Sequence, residues 1–176
     1  MSSESRSSGP VVVLIGPPGA GKSTVGAVLA QRLGVPLHDT DAGVETAQGR
    51  TISDIFVQDG EEAFRALERA EVQRALTEET GVVALGGGAV MQEPSAQALR
   101  EGGHAVAFLD VSISDASSRV GFDASRPLLL VNPRASWTRL MNARRATYEE
   151  LAGLHVSTGG RTPEEIADEV VAWLQG

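Results

Sequence analysis

Short apolar runs alternate with longer amphipathic segments along the chain. VVVLI (11–15) is apolar and β-branched, which predicts a buried strand. The pattern over 22–33 predicts a helix stopped by Gly34. VPLHD (35–39) predicts a second strand, and 51–59 and 60–79 two helices, the latter rich in Glu, Arg and Ala. GVVAL (81–85) predicts a third strand, closed by Gly86-Gly87-Gly88. A short helix is expected over 94–101 and a fourth strand at HAVAFLD (104–110). Residues 112–120 read as helix and 121–133 as irregular. A long helix over 137–151, a fifth strand at LHVST (154–158) and a final helix over 163–174, with Pro163 at its start, complete the pattern. Strands alternating with helices predict parallel strands and right-handed crossovers. Each strand is apolar enough to be covered on both faces. The expected fold class is α/β, a three-layer α/β/α sandwich around a five-stranded parallel sheet. In such sheets ligands bind beyond the carboxyl ends of the strands. Unusual residues fall there, at 16–24, 39–41 and 86–88.

The stretch GPPGAGKST (16–24) satisfies G-x-x-x-x-G-K-[ST] in full, with a strand before it and a helix after it. Such glycines let backbone N–H groups turn inward around a phosphate, and the helix directs its positive end at the same anion. Lys22 is expected to reach the β- and γ-phosphates and Ser23 to hold Mg²⁺. Lys22 is also the only lysine; the other fourteen cationic side chains are arginines. A plain glycine-rich turn would not demand that lysine here. The guanine-reading N-K-x-D motif needs a second lysine, which disfavours a GTPase. Size disfavours a motor ATPase. A small-molecule kinase leads, with a non-catalytic nucleotide-binding module behind it.

Composition narrows this further. The 176 residues, 41% of them hydrophobic, suit one globular domain with its own core. Residues 1–9 are serine-rich and read as a disordered tail, leaving 10–176 as a single domain. With no cysteine, disulfides and cysteine-ligated zinc are excluded. A net charge of -8 argues against nucleic acid as a partner, since a phosphate backbone needs a basic face. No apolar run approaches the ~20 residues of a membrane helix. A cytoplasmic protein, monomeric by default and without a membrane partner, is expected.

The acceptor side is read from four places. Asp39 and Asp41, spaced i, i+2 on extended chain, would point the same way, one to the metal and one to an acceptor hydroxyl; the alternative is an Asp-rich turn capping the next helix. Arg65 and Glu68 share a helix face, where a solvated ion pair is the ordinary reading, as it is for Arg69 and Glu71. Gly86, Gly87 and Gly88 suggest close approach of a ligand to the main chain, against a simple loop. Residues 119–133 suggest a lid that brings Arg126 to the transferring phosphate. Arg144 and Tyr148 stand i, i+4 on the long helix.

Together these residues resemble the shikimate kinase family over nearly the whole of 11–175. The motifs are GPPGAGKST, D-T-D followed by Val44-Glu45, D-G-E-x-x-F-R-x-x-E (59–68), GGGAV (86–90), R-P-L-L (126–129) and R-x-x-x-Y (144–148). The phosphate loop alone is shared by many families; the D-T-D, F-R and GGGA set in this order is far more specific. The resemblance implies a P-loop NTPase fold of the nucleoside monophosphate kinase type. It also implies transfer of the ATP γ-phosphate to the 3-hydroxyl of shikimate, on the route to chorismate and the aromatic amino acids. By analogy Asp41 holds the shikimate hydroxyls and accepts the proton, and Asp39 orders the Mg²⁺ shell beside Ser23. Arg65 and Arg144 would grip the shikimate carboxylate, with Glu68 orienting them, and Gly86, Gly87 and Gly88 would meet the ring hydroxyls. Gly19, Ala20, Gly21, Lys22, Ser23 and Thr24 would surround the phosphates. Arg126 would meet them from the lid, and Arg119 and Arg161 would lie against adenine.

The resemblance agrees with the bottom-up chemistry. A small polyol with one carboxylate is best held by planar arginine, aspartate and close backbone. Rival readings are another small kinase, of the gluconate or adenylate type, and a silent relative that only binds ATP or shikimate.

Overall fold

The computed structural model describes residues 9–111 and 133–176. Five strands, β1 (Val12–Ile15), β2 (Leu37–Asp39), β3 (Val82–Ala84), β4 (Val106–Asp110) and β5 (Leu154–Ser157), form one parallel sheet in the order β2-β3-β1-β4-β5. β1 lies at its centre, pairing Leu14 with Ala84 on one side and with Ala107 on the other. Its four residues are all buried, as a strand covered on both faces must be.

The described residues hold seven α-helices: α1 (Lys22–Leu33), α2 (Thr40–Gln48), α3 (Ile52–Asp59), α4 (Glu61–Glu78), α5 (Glu93–Glu101), α6 (Pro133–Leu151) and α7 (Pro163–Gln175). α1 packs on α7; α4, α5 and α6 follow one another in contact. The main core runs from β1 and α1 through Phe108, Tyr148 and Val170. A smaller core of Val44, Ile55 and Phe64 ties α2, α3 and α4 together. α2 carries Asp41 and α4 carries Arg65 and Glu68, so this second cluster fixes those side chains relative to one another.

The expected α/β architecture and all five strands are present. Two differences concern helices. α6 begins at Pro133, four residues before the pattern suggested. More important, α2 has no counterpart in the reading of 39–41 as extended chain. Asp39 is the N-cap of α2, and Oδ1 of its carboxylate accepts from the backbone N–H of Asp41 at 2.9 Å and of Ala42 at 3.2 Å. Asp41 therefore sits in the first helical turn. The cause is the strong capping tendency of aspartate, together with burial of Val44 against Ile55 and Phe64. The helix expected over 112–120, and most of the lid segment 119–133 with Arg119 and Arg126, lie outside the described residues.

Candidate active site

The phosphate loop leaves β1 at Gly16, which has φ +149; a Cβ there would stand 2.5 Å from the backbone oxygen of Leu109. The loop thus starts against the end of β4, where only glycine fits. Gly21, at φ 87, caps α1 without a side chain of its own. The first turn of α1 contains no acidic residue, so the positive end of its dipole is not offset there. Lys22 folds back over the loop, donating from Nζ to the carbonyls of Gly16 at 2.6 Å and Pro17 at 3.1 Å. Ser23 and Thr24, in the first turn, are exposed, whereas Ala20 is buried beneath the loop.

Ser23 donates its hydroxyl to Oδ2 of Asp39 at 2.6 Å. The two residues expected to share a metal are therefore adjacent, one from α1 and one from the end of β2. They offer a hydroxyl and a carboxylate, the hard oxygen donors that suit Mg²⁺, which keeps several waters and phosphate oxygens of its own. Asp39 both caps α2 and faces Ser23, so the capping reading and the metal reading describe the same carboxylate.

Beside this lies a second group, gathered on the three glycines after β3. A Cβ on Gly86 would stand 2.5 Å from Oδ1 of Asp41 and 3.2 Å from Oε2 of Glu68. One on Gly87 would stand 2.8 Å from Cδ of Pro18. One on Gly88 would stand 2.7 Å from Nη1 of Arg65 and 3.0 Å from Nη2 of Arg144. Neighbouring side chains thus occupy the space a β-carbon would take at each of the three glycines. Gly87 also brings this floor against the phosphate loop.

Arg65 and Arg144 come from α4 and α6, and their guanidinium groups converge above Gly88. Glu68 is 1% exposed and accepts from Nη1 of Arg65 at 2.9 Å. This pair is not the solvated one that ordinary spacing suggests. Burial pushes the Glu68 carboxyl up, and Arg65, its nearest cation, pulls it back only in part. Arg144 is 6% exposed, and Tyr148, one turn later, is fully buried. The Tyr148 hydroxyl donates to the carbonyl of Gly87, so α6 holds the glycine floor as well as contributing a cation. Burial pushes the Tyr148 hydroxyl up, keeping it protonated as a donor.

Two positioning contacts have little signature in the chain. Thr40, fully buried between the two aspartates, accepts from the backbone N–H of Gly86 at 3.1 Å and ties α2 to the glycine floor. Its burial was the missing signal. Arg145 donates to both carboxylate oxygens of Asp110, at 2.9 and 3.1 Å, anchoring α6 to the end of β4. Nor is Glu71 solvated: it meets His38 and Arg74 in a partly buried cluster. Arg161 lies just beyond β5, donating to the carbonyl of Ser157 at 3.1 Å and that of Glu165 at 3.2 Å. It stands at the carboxyl edge of the sheet, apart from the Arg65–Arg144 pair.

The site thus has two halves, an anion cradle with its lysine and a cationic pair above a carboxylate-lined glycine floor. No helix among the described residues is long and apolar enough to cross a membrane. Comparison with known proteins agrees with the geometry. A family model for shikimate kinase matches residues 18–175. The shikimate kinase of Thermobifida fusca is 57% identical over 168 residues, covering 96% of each chain. That of Streptomyces avermitilis is 51% identical, covering 94% of this chain and 96% of its own. A solved structure of the shikimate kinase from Acinetobacter baumannii, in complex with shikimate, superposes with a TM-score of 0.91 at 32% identity, over 97% of this chain and 94% of that one. Motifs, topology and site geometry converge, and the chain belongs to the shikimate kinase family.

Proposed function

We infer that the protein transfers the γ-phosphoryl group of ATP to the 3-hydroxyl of shikimate, giving shikimate 3-phosphate and ADP. The observation that carries this reading is the meeting of Arg65 and Arg144 above Gly88, with Asp41 against Gly86 on the same floor. Two planar guanidiniums suit one carboxylate, and the Asp41 carboxylate on the same floor suits a hydroxyl. Shikimate presents both groups on one small ring.

Each residue then has a task. Gly19, Ala20, Gly21 and Thr24 surround the phosphates with backbone and hydroxyl donors, and the first turn of α1 adds its dipole. Lys22 exchanges its hold on the Gly16 and Pro17 carbonyls for the β- and γ-phosphate oxygens, as a charge placed where negative charge moves. Ser23 and Asp39 would hold Mg²⁺, which when bound neutralises phosphate charge. Arg65 and Arg144 fix the acceptor's carboxylate and thereby its orientation. Asp41 orients the attacking hydroxyl and takes its proton. Glu68 orients the two guanidiniums, hydrogen-bonding Arg65 and attracting Arg144. Arg126 is assigned to the transferring phosphate, and Arg119 and Arg161 to adenine, on family resemblance. The expected setting is the cytoplasm, with the protein acting as a monomer.

The test is release of ADP from ATP and Mg²⁺ with shikimate, beside gluconate, AMP and no acceptor, with Lys22→Ala as the blank. Release with shikimate alone is expected. Release with another acceptor instead would remove the carboxylate-and-polyol reading of the glycine floor while leaving the phosphate loop in place.

A further inference from the structure

A partly buried charged junction joins α2, β2 and α4 outside the site. On α4, one turn beyond Glu68, Glu71 reaches across to α2 and β2. A Cβ on Gly43 would stand 2.3 Å from Oε1 of Glu71 and 2.9 Å from Nε2 of His38. The Glu71 carboxylate therefore rests on the Cα of Gly43. It is held there by His38 Nε2 and by Arg74, whose Nη2 donates to Oε1 at 2.8 Å and whose Nε donates to Oε2 at 3.1 Å. Arg74 also donates to Glu78 and Glu79. Burial opposes the charge of Glu71, but the hydrogen bonds from Arg74 and His38 outweigh it and hold the carboxyl low.

The position matters because α2 and α4 meet twice. At one level Asp41 and Glu68 crowd onto Gly86. One half-turn further along α2, Gly43 meets Glu71. His38 immediately precedes Asp39, the residue that caps α2 and accepts from Ser23. A cleft of about 610 Å³, lined in part by Asp39, Ala42, Thr46 and Arg74, opens beside the junction. It leaves room for α2 to shift once the junction is loosened.

We propose that Glu71, clamped by His38 and Arg74 against Gly43, is a positioning residue that sets the spacing of α2 from α4 and so the distance of Asp41 from Arg65. It is not among the residues assigned to either substrate. It acts on the acceptor half of the site, and this inference rests on the assignment of shikimate as acceptor.

The test uses the full chain and four proteins: wild type, Glu71→Ala, Gly43→Ala and the double variant. Steady-state KM is measured for shikimate and for ATP, with thermal melts alongside. Gly43→Ala is expected to unseat the clamped Glu71 carboxylate and, because His38 and Arg74 resist its withdrawal, to shift α2, raising the shikimate KM on the order of tenfold, a misplacement near 1 Å being worth up to about 10²-fold. The ATP KM is expected to stay within about twofold of wild type. Glu71→Ala should raise the shikimate KM less, since it loosens the spacing without forcing it. The double variant is expected to recover much of the loss of Gly43→Ala, because the clashing carboxylate is gone. That reciprocal rescue is a readout that general loss of stability would not produce. Additive losses in the double variant, or equal rises in both KM values, would overturn the proposal. So would an unchanged shikimate KM in Gly43→Ala. If Glu71→Ala fails to fold, Glu71→Ser supplies the same comparison, since its short side chain also clears the space beside Gly43. A wild type that turns over no shikimate would overturn the acceptor assignment itself, and that arm is read separately from the variants.

Discussion

The Ser23 hydroxyl lies 2.6 Å from Oδ2 of Asp39, linking the start of α1 to the end of β2. The other oxygen of Asp39 caps α2. One carboxylate therefore aligns the phosphate loop, the edge of the sheet and the helix that carries Asp41.

Asp39→Asn separates those tasks. Asparagine caps a helix about as well as aspartate, so the melting temperature should barely move. If Asp39 holds Mg²⁺ as proposed, its charge is lost to the metal, and the Mg²⁺ concentration for half-maximal turnover should rise on the order of tenfold. A Mg²⁺ titration of kcat beside a thermal melt checks this. An unchanged Mg²⁺ requirement would remove Asp39 from the metal shell.

Gly88→Ala tests the glycine floor. Gly88 has φ -100, so alanine is not strained there. Its β-carbon would instead displace the guanidiniums of Arg65 and Arg144, which are the ends of flexible side chains. The fold should survive, and the shikimate KM should rise at least about tenfold with the ATP KM little changed. Steady-state kinetics with each substrate varied in turn decide it; a rise confined to the ATP KM would contradict the assignment.

Tyr148→Phe removes the donor to the Gly87 carbonyl and, with it, the hydroxyl that accepts from Arg144. An acceptor left unsatisfied near the core costs about 1–3 kcal/mol, which chemical denaturation reads directly. The floor also loses its tether to α6, so the shikimate KM should rise with the stability loss. Wild-type stability in Tyr148→Phe would show that the carbonyl finds another partner.

Asp110 gives a pH dependence. Burial works to raise its carboxyl, but hydrogen bonds from Arg145 and His155 outweigh it and hold the group below the ordinary aspartate range. A lowered folded-state value means that its stabilising contribution is present above the unfolded value of about 3.9 and is lost as pH falls below it. Wild type should therefore be more stable than Asp110→Asn near neutrality, with the gap closing below about pH 3.9. Melting temperatures of both proteins from pH 7 down to pH 3 test the direction. A gap that widens on acidification would refute it.

Much of this protein was legible along the chain. The five strands follow from β-branched apolar runs, which have few other places to go, and the phosphate loop from a glycine pattern that serves a single backbone geometry. Asp41 and the three glycines stand out by type and position, and Arg65 and Arg144 as site candidates through the family resemblance. Their relation was not legible. The i, i+2 spacing of Asp39 and Asp41 reads as extended chain, yet α2 starts at Thr40. Nine residues are too few for helical propensity to decide, and the helix is secured by Val44 packing on Ile55 and Phe64.

What the sequence determined by itself was chemistry that one segment carries whole: strand, loop, cap, and the residue types that suit phosphate and carboxylate. What only the tertiary structure decided was everything that depends on two segments meeting. Glu68 became buried because α4 lies beneath the glycine floor. The glycines proved to make room for side chains of α2, α4 and α6. Glu71 became a wedge at Gly43 because those helices cross there. Local pattern reports what a residue can do; burial and neighbours, which sum over distant parts of the chain, decide what it does.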